Sequence, residues 1–184
     1  MLKEAMGYFG RSFCGLPNKE SDIDIEMEKG KLFYKWGESS GELDDFQQSY
    51  NHLFNVEAPD LTQKMNLERC DLLLKNLQNI LKLRLKMASE IFEFLCENRL
   101  RIELRDLDFK KELHERSEEF MAFEESMILQ GEEIKKFMLT LVLADDLKGQ
   151  RKDLLENYDR GLKSISDGME AFYHRVKDYV RKEK

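Results

Sequence analysis

The chain has 184 residues, of which 36% are charged and 41% hydrophobic, a net charge of −7, and only two prolines, Pro17 and Pro59. That length suits one domain or one elongated module, and the composition suits long solvent-washed helices rather than a sheet or a disordered chain. An acidic balance argues against nonspecific nucleic-acid binding by the whole surface, and no run of about 18 apolar residues exists to span a bilayer.

The first sixteen residues, MLKEAMGYFGRSFCGL, place Leu2, Met6, Phe9, Phe13 and Leu16 at steps of four, three, four and three. On a helix these make one apolar face. Gly7, Gly10 and Gly15 interrupt it, each costing helix about 1 kcal/mol relative to alanine. A segment that can be amphipathic but is too weak to fold alone folds against something: a membrane surface, a partner groove, or, as a flap, its own domain. It lacks an unbroken apolar stretch and a small-residue cleavage site, so a secretory signal is not expected. Cys14, Cys70 and Cys96 are odd in number and form no CxxC, which fits free thiols in a reducing, cytoplasmic setting.

A first domain helix is expected over about 22–55. Ser21 or Asp22 can cap it. Ile25, Leu32, Phe46 and Leu53 recur at multiples of seven, with Trp36, Leu43 and Tyr50 as a companion row and Gly30, Gly37 and Gly41 as weak points. Pro59 stops it. A second helix is expected over 61–130, which holds no glycine or proline. Leu74, Leu81, Ala88, Leu95, Ile102 and Phe109 keep a seven-residue spacing. The row slips by four and resumes at Leu113, Phe120, Met127, Ile134 and Leu141, a stutter that unwinds a supercoil locally. A third helix is expected over 132–183, with its turn at Gly131 or at Ala144–Gly149. Leu155, Tyr158, Leu162, Ile165, Met169, Phe172, Val176 and Tyr179 keep an unbroken 3–4 rhythm there.

Two packings satisfy this pattern. One is an elongated antiparallel three-helix coiled coil that dimerises. The other is a compact four-helix bundle with a break near Arg105-Asp106. The run Phe137 to Leu143 is apolar nearly all round, which in a thin rod requires a second subunit, so a homodimer is expected.

No catalytic or cofactor signature is present. His114-Glu115-Arg116-Ser117-Glu118 lacks the second histidine of a zinc helix. Asp22-Ile23-Asp24-Ile25-Glu26 lacks the glycine and the closing glutamate of a calcium loop, since Met27 and Phe33 stand there. No di-iron Glu-x-x-His pair, P-loop or dinucleotide fingerprint occurs. Neither an enzyme nor a metal or cofactor is expected. Charge is uneven instead. Residues 17–60 hold four basic and eleven acidic side chains, and 117–146 hold two and eight. Between them Lys75, Lys82, Arg84, Lys86, Arg99, Arg101, Arg105, Lys110 and Lys111 form a basic belt. Each Lys or Arg near an anionic leaflet is worth about 1 kcal/mol.

In this arrangement the chain resembles the BAR-domain family, and its N-BAR-like members. The parallels are the amphipathic segment around Met6, Phe9 and Phe13, the acidic lead-in Ser21 to Glu28, the loop at Pro59 and two long coiled-coil helices. It is short for that family, and its expected tip around Gly131 is acidic. The resemblance implies a crescent-shaped antiparallel homodimer, a peripheral membrane protein of the cytoplasm. Its concave face would sense or generate curvature on anionic phospholipid membranes, with Lys82, Arg84, Lys86, Arg99, Arg101 and Arg105 facing lipid. The N-terminal segment would insert as a wedge, and other membrane-remodelling or adaptor proteins would be partners. The competing expectation is a coiled-coil scaffold, adaptor or secreted effector that turns the same stripes toward a protein partner.

Overall fold

A computed structural model describes residues 19–56, 61–97 and 106–181. These form α1 (Lys19–Ser40), α2 (Leu43–Phe54), α3 (Gln63–Glu97), α4 (Asp106–Thr140) and α5 (Asp145–Arg181), and no strand occurs among the described residues. The all-helical expectation stands, with five helices in place of the expected three.

The expected helix over 22–55 is a hairpin. Gly41, at φ +70°, ends α1 in a conformation that side-chain-bearing residues rarely adopt. Its N–H donates to the Gly37 carbonyl at 2.8 Å, closing the last turn. The Ser40 hydroxyl accepts from the Glu42 N–H at 3.0 Å and donates to Asp45 at 2.8 Å. Its apolar positions therefore face each other across the hairpin, as where Phe46 and Leu53 of α2 fill the space over Gly37 and Gly30 of α1.

The expected helix over 61–130 is two helices. α3 ends at Glu97 and α4 begins at Asp106, beside the break foreseen in the compact alternative. The two run antiparallel, since Arg84 of α3 meets Glu124 of α4 while Phe92 clusters with Phe109 and Leu113. The row from Leu74 to Leu95 lies on α3, whereas Phe109, Leu113, Phe120, Met127 and Ile134 lie on α4 and Leu141 falls just past its end. No stutter unwinds a supercoil within one rod.

Gly131 is not a turn either. It lies buried inside α4, with the Tyr158 hydroxyl of α5 in the space its side chain would need. The chain reverses at 141–144 instead. There the Arg151 guanidinium donates to the carbonyls of Met138 at 3.1 Å and Leu141 at 3.0 Å, groups that a helix end leaves unpaired. Asp145 and Asp146 open α5, where negative charge suits a helix N-terminus. The run Phe137–Leu143 is thus a helix end and a turn, not one all-round apolar helix. Met138 and Leu143 are buried and Leu139 and Val142 exposed.

α3 is the axis of the molecule. α1–α2 packs on one side of its first half, and α4–α5 packs on the other. α5 runs parallel to α3, with Gln78 donating to the Tyr158 carbonyl at 2.8 Å and Arg175 reaching Glu93 at 3.2 Å. Cys70, Leu73, Leu74, Leu77, Ile80 and Leu81 are consequently buried on nearly every side. Each such leucine is worth roughly 1.5–3 kcal/mol of transfer. One buried polar chain crosses this core: Asn76 of α3 donates to the Ser49 hydroxyl of α2 at 2.8 Å, and Ser49 donates to the Gly30 carbonyl of α1 at 2.7 Å. Three helices are thereby fixed in register.

Candidate interaction surface

One stripe runs the length of α3. Arg69, Leu73, Asn76 and Ile80 recur at steps of four, three and four, so they share a helix face. The hairpin seals that face. Arg69 donates to the Leu53 and Phe54 carbonyls of α2 at 2.7 and 3.1 Å, and Asn76 bonds Ser49. Met87, Ile91 and Phe94 continue the stripe seven, eleven and fourteen residues beyond Ile80. α1 passes Asn79 at Tyr34 and ends six residues later. Beyond that level α1–α2 no longer reaches the stripe, and Met87, Ile91 and Phe94 are 48%, 56% and 59% exposed.

Beside this stretch, α3, α4 and α5 line a partly open apolar pocket of about 470 Å³. Ala88, Ile91, Phe92 and Leu95 line it from α3. Phe109, Leu113, Arg116, Ser117 and Phe120 line it from α4, and Phe172 and Val176 from α5. Its walls are held by edge-to-face rings: Phe92 with Phe172 at 6.1 Å and with Tyr179 at 5.7 Å, Phe120 with Phe172 at 5.6 Å. Such pairs add roughly 0.5–1.5 kcal/mol beyond burial and keep the rings from collapsing into the space.

One turn along α4 from Phe120 stands Glu124, whose side chain has no exposed surface. Its Oε1 accepts from Arg84 Nε at 2.7 Å, and its Oε2 has no partner. The Arg84 guanidinium lies 3.8 Å over the centre of the Phe123 ring. Burial pushes the Glu124 carboxyl above the usual carboxylate range, and Arg84 offsets only part of that.

The rest of the titratable chemistry is local. His52 sits 2.6 Å from the Glu26 carboxylate, and His114 and His174 each pair with a glutamate one turn away. Burial pushes the Cys70 thiol up to about 11. Among the described residues no three His, Cys, Asp or Glu side chains converge as a metal site would require, and no helix is long and apolar enough to cross a membrane.

The basic belt is dispersed. Lys75, Lys82 and Lys86 do share an exposed row on α3. Lys75 lies 2.7 Å from Asp71 and Lys86 3.8 Å from Glu90, so part of its charge is locally balanced. Arg84 points to Glu124 rather than to that row. Lys110 is half-buried and Lys111 exposed, 3.7 Å from Glu115, on the first turns of α4. Arg99, Arg101 and Arg105, and with them Leu2, Met6, Phe9, Phe13 and Leu16, lie outside the described residues. Heptad counting missed Met87, Ile91 and Phe94. The signal was the register of Leu73 and Ile80, which the same residues extend. Comparison of the chain with protein-family models, with curated proteins and with solved structures returns no match.

Proposed function

We propose that this chain is a non-catalytic helical interaction module, a scaffold or adaptor, that takes an amphipathic helix onto the second half of the α3 stripe. The carrying observation is that one helix face is sealed by α1–α2 over its first half, whereas Met87 and Ile91 on its second half stand exposed beside an apolar pocket. A helix laid there would continue what α2 begins, anchoring side chains at three- and four-residue spacing. Exposed apolar residues clustered in this way mark interaction sites more often than isolated ones do. The test is binding of 8-anilinonaphthalene-1-sulfonate. The native chain is expected to enhance its fluorescence, and a Met87→Glu, Ile91→Glu variant with unchanged helicity is expected to lose most of that signal. Equal enhancement by the variant would place the binding surface elsewhere.

A second reading, peripheral association with an anionic membrane to sense or generate curvature, draws on Lys82 and Lys86, exposed beside Met87. Lysines flanking an exposed apolar row suit the interfacial zone of a leaflet. Co-sedimentation with phosphatidylserine vesicles at low and high salt tests it. Replacing Lys75, Lys82 and Lys86 with glutamate is expected to abolish salt-sensitive pelleting if this surface meets lipid.

A further inference from the structure

We propose that the pocket between α3, α4 and α5 binds a free fatty acid, its chain among the aromatic side chains and its carboxylate at Arg116. The site is separate from the helix-docking face at Met87, which does not line it. The first argument is space. The pocket measures about 470 Å³ and, apart from Arg116 and Ser117, every lining residue is apolar. Water entering such a space would find too few polar partners, whereas apolar guests fit: an apolar cavity of about 150 Å³ holds benzene. Three such volumes correspond to a chain on the order of twelve to eighteen carbons. The second argument is rigidity. Arg175 of α5 donates to Ser89 and Glu93 of α3, both at 3.2 Å, on either side of Phe92. Arg84 of α3 holds Glu124 of α4 one turn beyond Phe120. Moving α4 or α5 inward to fill the space would break these bonds as well as the ring contacts.

The third argument is the placement of the polar groups. Of the lining residues only Ile91 of α3 and Arg116 of α4 are exposed. The Arg84–Glu124 pair sets the register of the antiparallel α3 and α4, which puts Ile91 level with positions 116–117. The two exposed residues thus mark one mouth. Ser117 is buried beside it, and its hydroxyl donates to the His114 carbonyl at 2.7 Å. The charge at the mouth is that of Arg116. A guanidinium carries five N–H donors and a carboxylate accepts two of them side by side, so a ligand headgroup can share the fork with another acceptor. From the level of Arg116 the apolar lining continues to Phe109, seven residues and about 10 Å along α4, which gives a tail its direction. A cation at the mouth of such a pocket fits an amphiphile with one anionic end and one chain. A neutral hydrocarbon would leave that charge unused, and a lipid with two such chains exceeds the space.

Isothermal titration calorimetry of the full chain with sodium dodecanoate, below the concentration at which it forms micelles, tests the proposal. Saturable binding of one dodecanoate per chain is expected. Arg116→Gln is expected to weaken dodecanoate about tenfold and to leave dodecanol unaffected, since only the acid uses the guanidinium. Ala88→Phe, which puts a ring into the pocket, is expected to weaken both ligands about tenfold or more with unchanged helicity. Met87→Glu, outside the pocket, is expected to bind dodecanoate as the native chain does. Absence of saturable binding to the native chain overturns the proposal, as does native dodecanoate affinity in Arg116→Gln. Loss of binding in Met87→Glu would place the amphiphile on the exposed face of α3 and also overturns it, while the helix-docking reading stands. A folded Ala88→Phe that keeps native affinity overturns it too. If that variant loses helicity, Arg116→Gln and Met87→Glu decide.

Discussion

Arg84 and Glu124 show how far a residue's surroundings can depart from its place in a sequence. Arg84 stands between Lys82 and Lys86 in the basic belt of the sequence. In the fold its guanidinium is spread over Phe123 and bound to a carboxylate that water does not reach. Arg84→Gln leaves that carboxylate buried without a counter-ion, a change expected to cost on the order of 3 kcal/mol at neutral pH. The pH dependence has a definite sign. A carboxyl whose folded pKa lies above its unfolded value, about 4.3, destabilises the fold when ionised. The variant's deficit is therefore expected to be largest above that raised value and to shrink as pH falls through it toward the unfolded one. Urea unfolding of both proteins at pH 7 and pH 5 measures this. A deficit that grew on acidification would mean that Glu124 is not the group left stranded.

Between elements, a side chain of α5 packs tightly against α4 at Gly131. The Tyr158 hydroxyl occupies the space over the glycine and has no hydrogen-bond partner. Burial pushes its pKa well above the usual tyrosine value. Gly131→Ala gains about 1 kcal/mol of helix propensity but forces the two helices apart, an overpacking cost of roughly 1–3 kcal/mol. Net destabilisation is expected. Tyr158→Phe removes the unpaired hydroxyl, the nearest obstruction, and leaves only the ring carbon Cζ at 3.0 Å, so it is expected to be neutral or stabilising by itself and to rescue most of the Gly131→Ala deficit. Thermal melts of the two single variants and the double variant close the cycle, and simple additivity would show that the hydroxyl is not the obstacle.

Over the whole molecule, stability is unevenly distributed. The first half of α3 is enclosed by four helices and crossed by the Asn76–Ser49–Gly30 chain. Among the described residues, two helices pack against the second half, around a partly open pocket. Amide exchange follows burial and local packing. Amides of 70–81 are expected to exchange near the global unfolding free energy, and those of 88–95 and 109–117 several-fold faster through partial opening. Uniform protection along α3 would refute the division.

What the sequence determined alone is the set of faces. Periodicity near 3.6 identified helices throughout, and the row from Leu155 to Tyr179 lies on the core side of α5 with Tyr158, Ile165, Met169, Phe172 and Val176 buried. Periodicity says which side of a helix avoids water. It does not say which neighbour covers that side, nor where a chain without glycine or proline reverses. The separation of α3 from α4 carries no local stop signal in 61–97 or 106–130. The antiparallel packing of Arg84 on Glu124 and Phe92 on Phe109 sets it. Gly131 offered such a signal and is interior helix, because a missing side chain serves a close approach as readily as a turn. The exposure of Met87 and Ile91 was equally a tertiary decision: they share the stripe of Leu73 and Ile80, but the α1–α2 hairpin turns back at Gly41 before it reaches them.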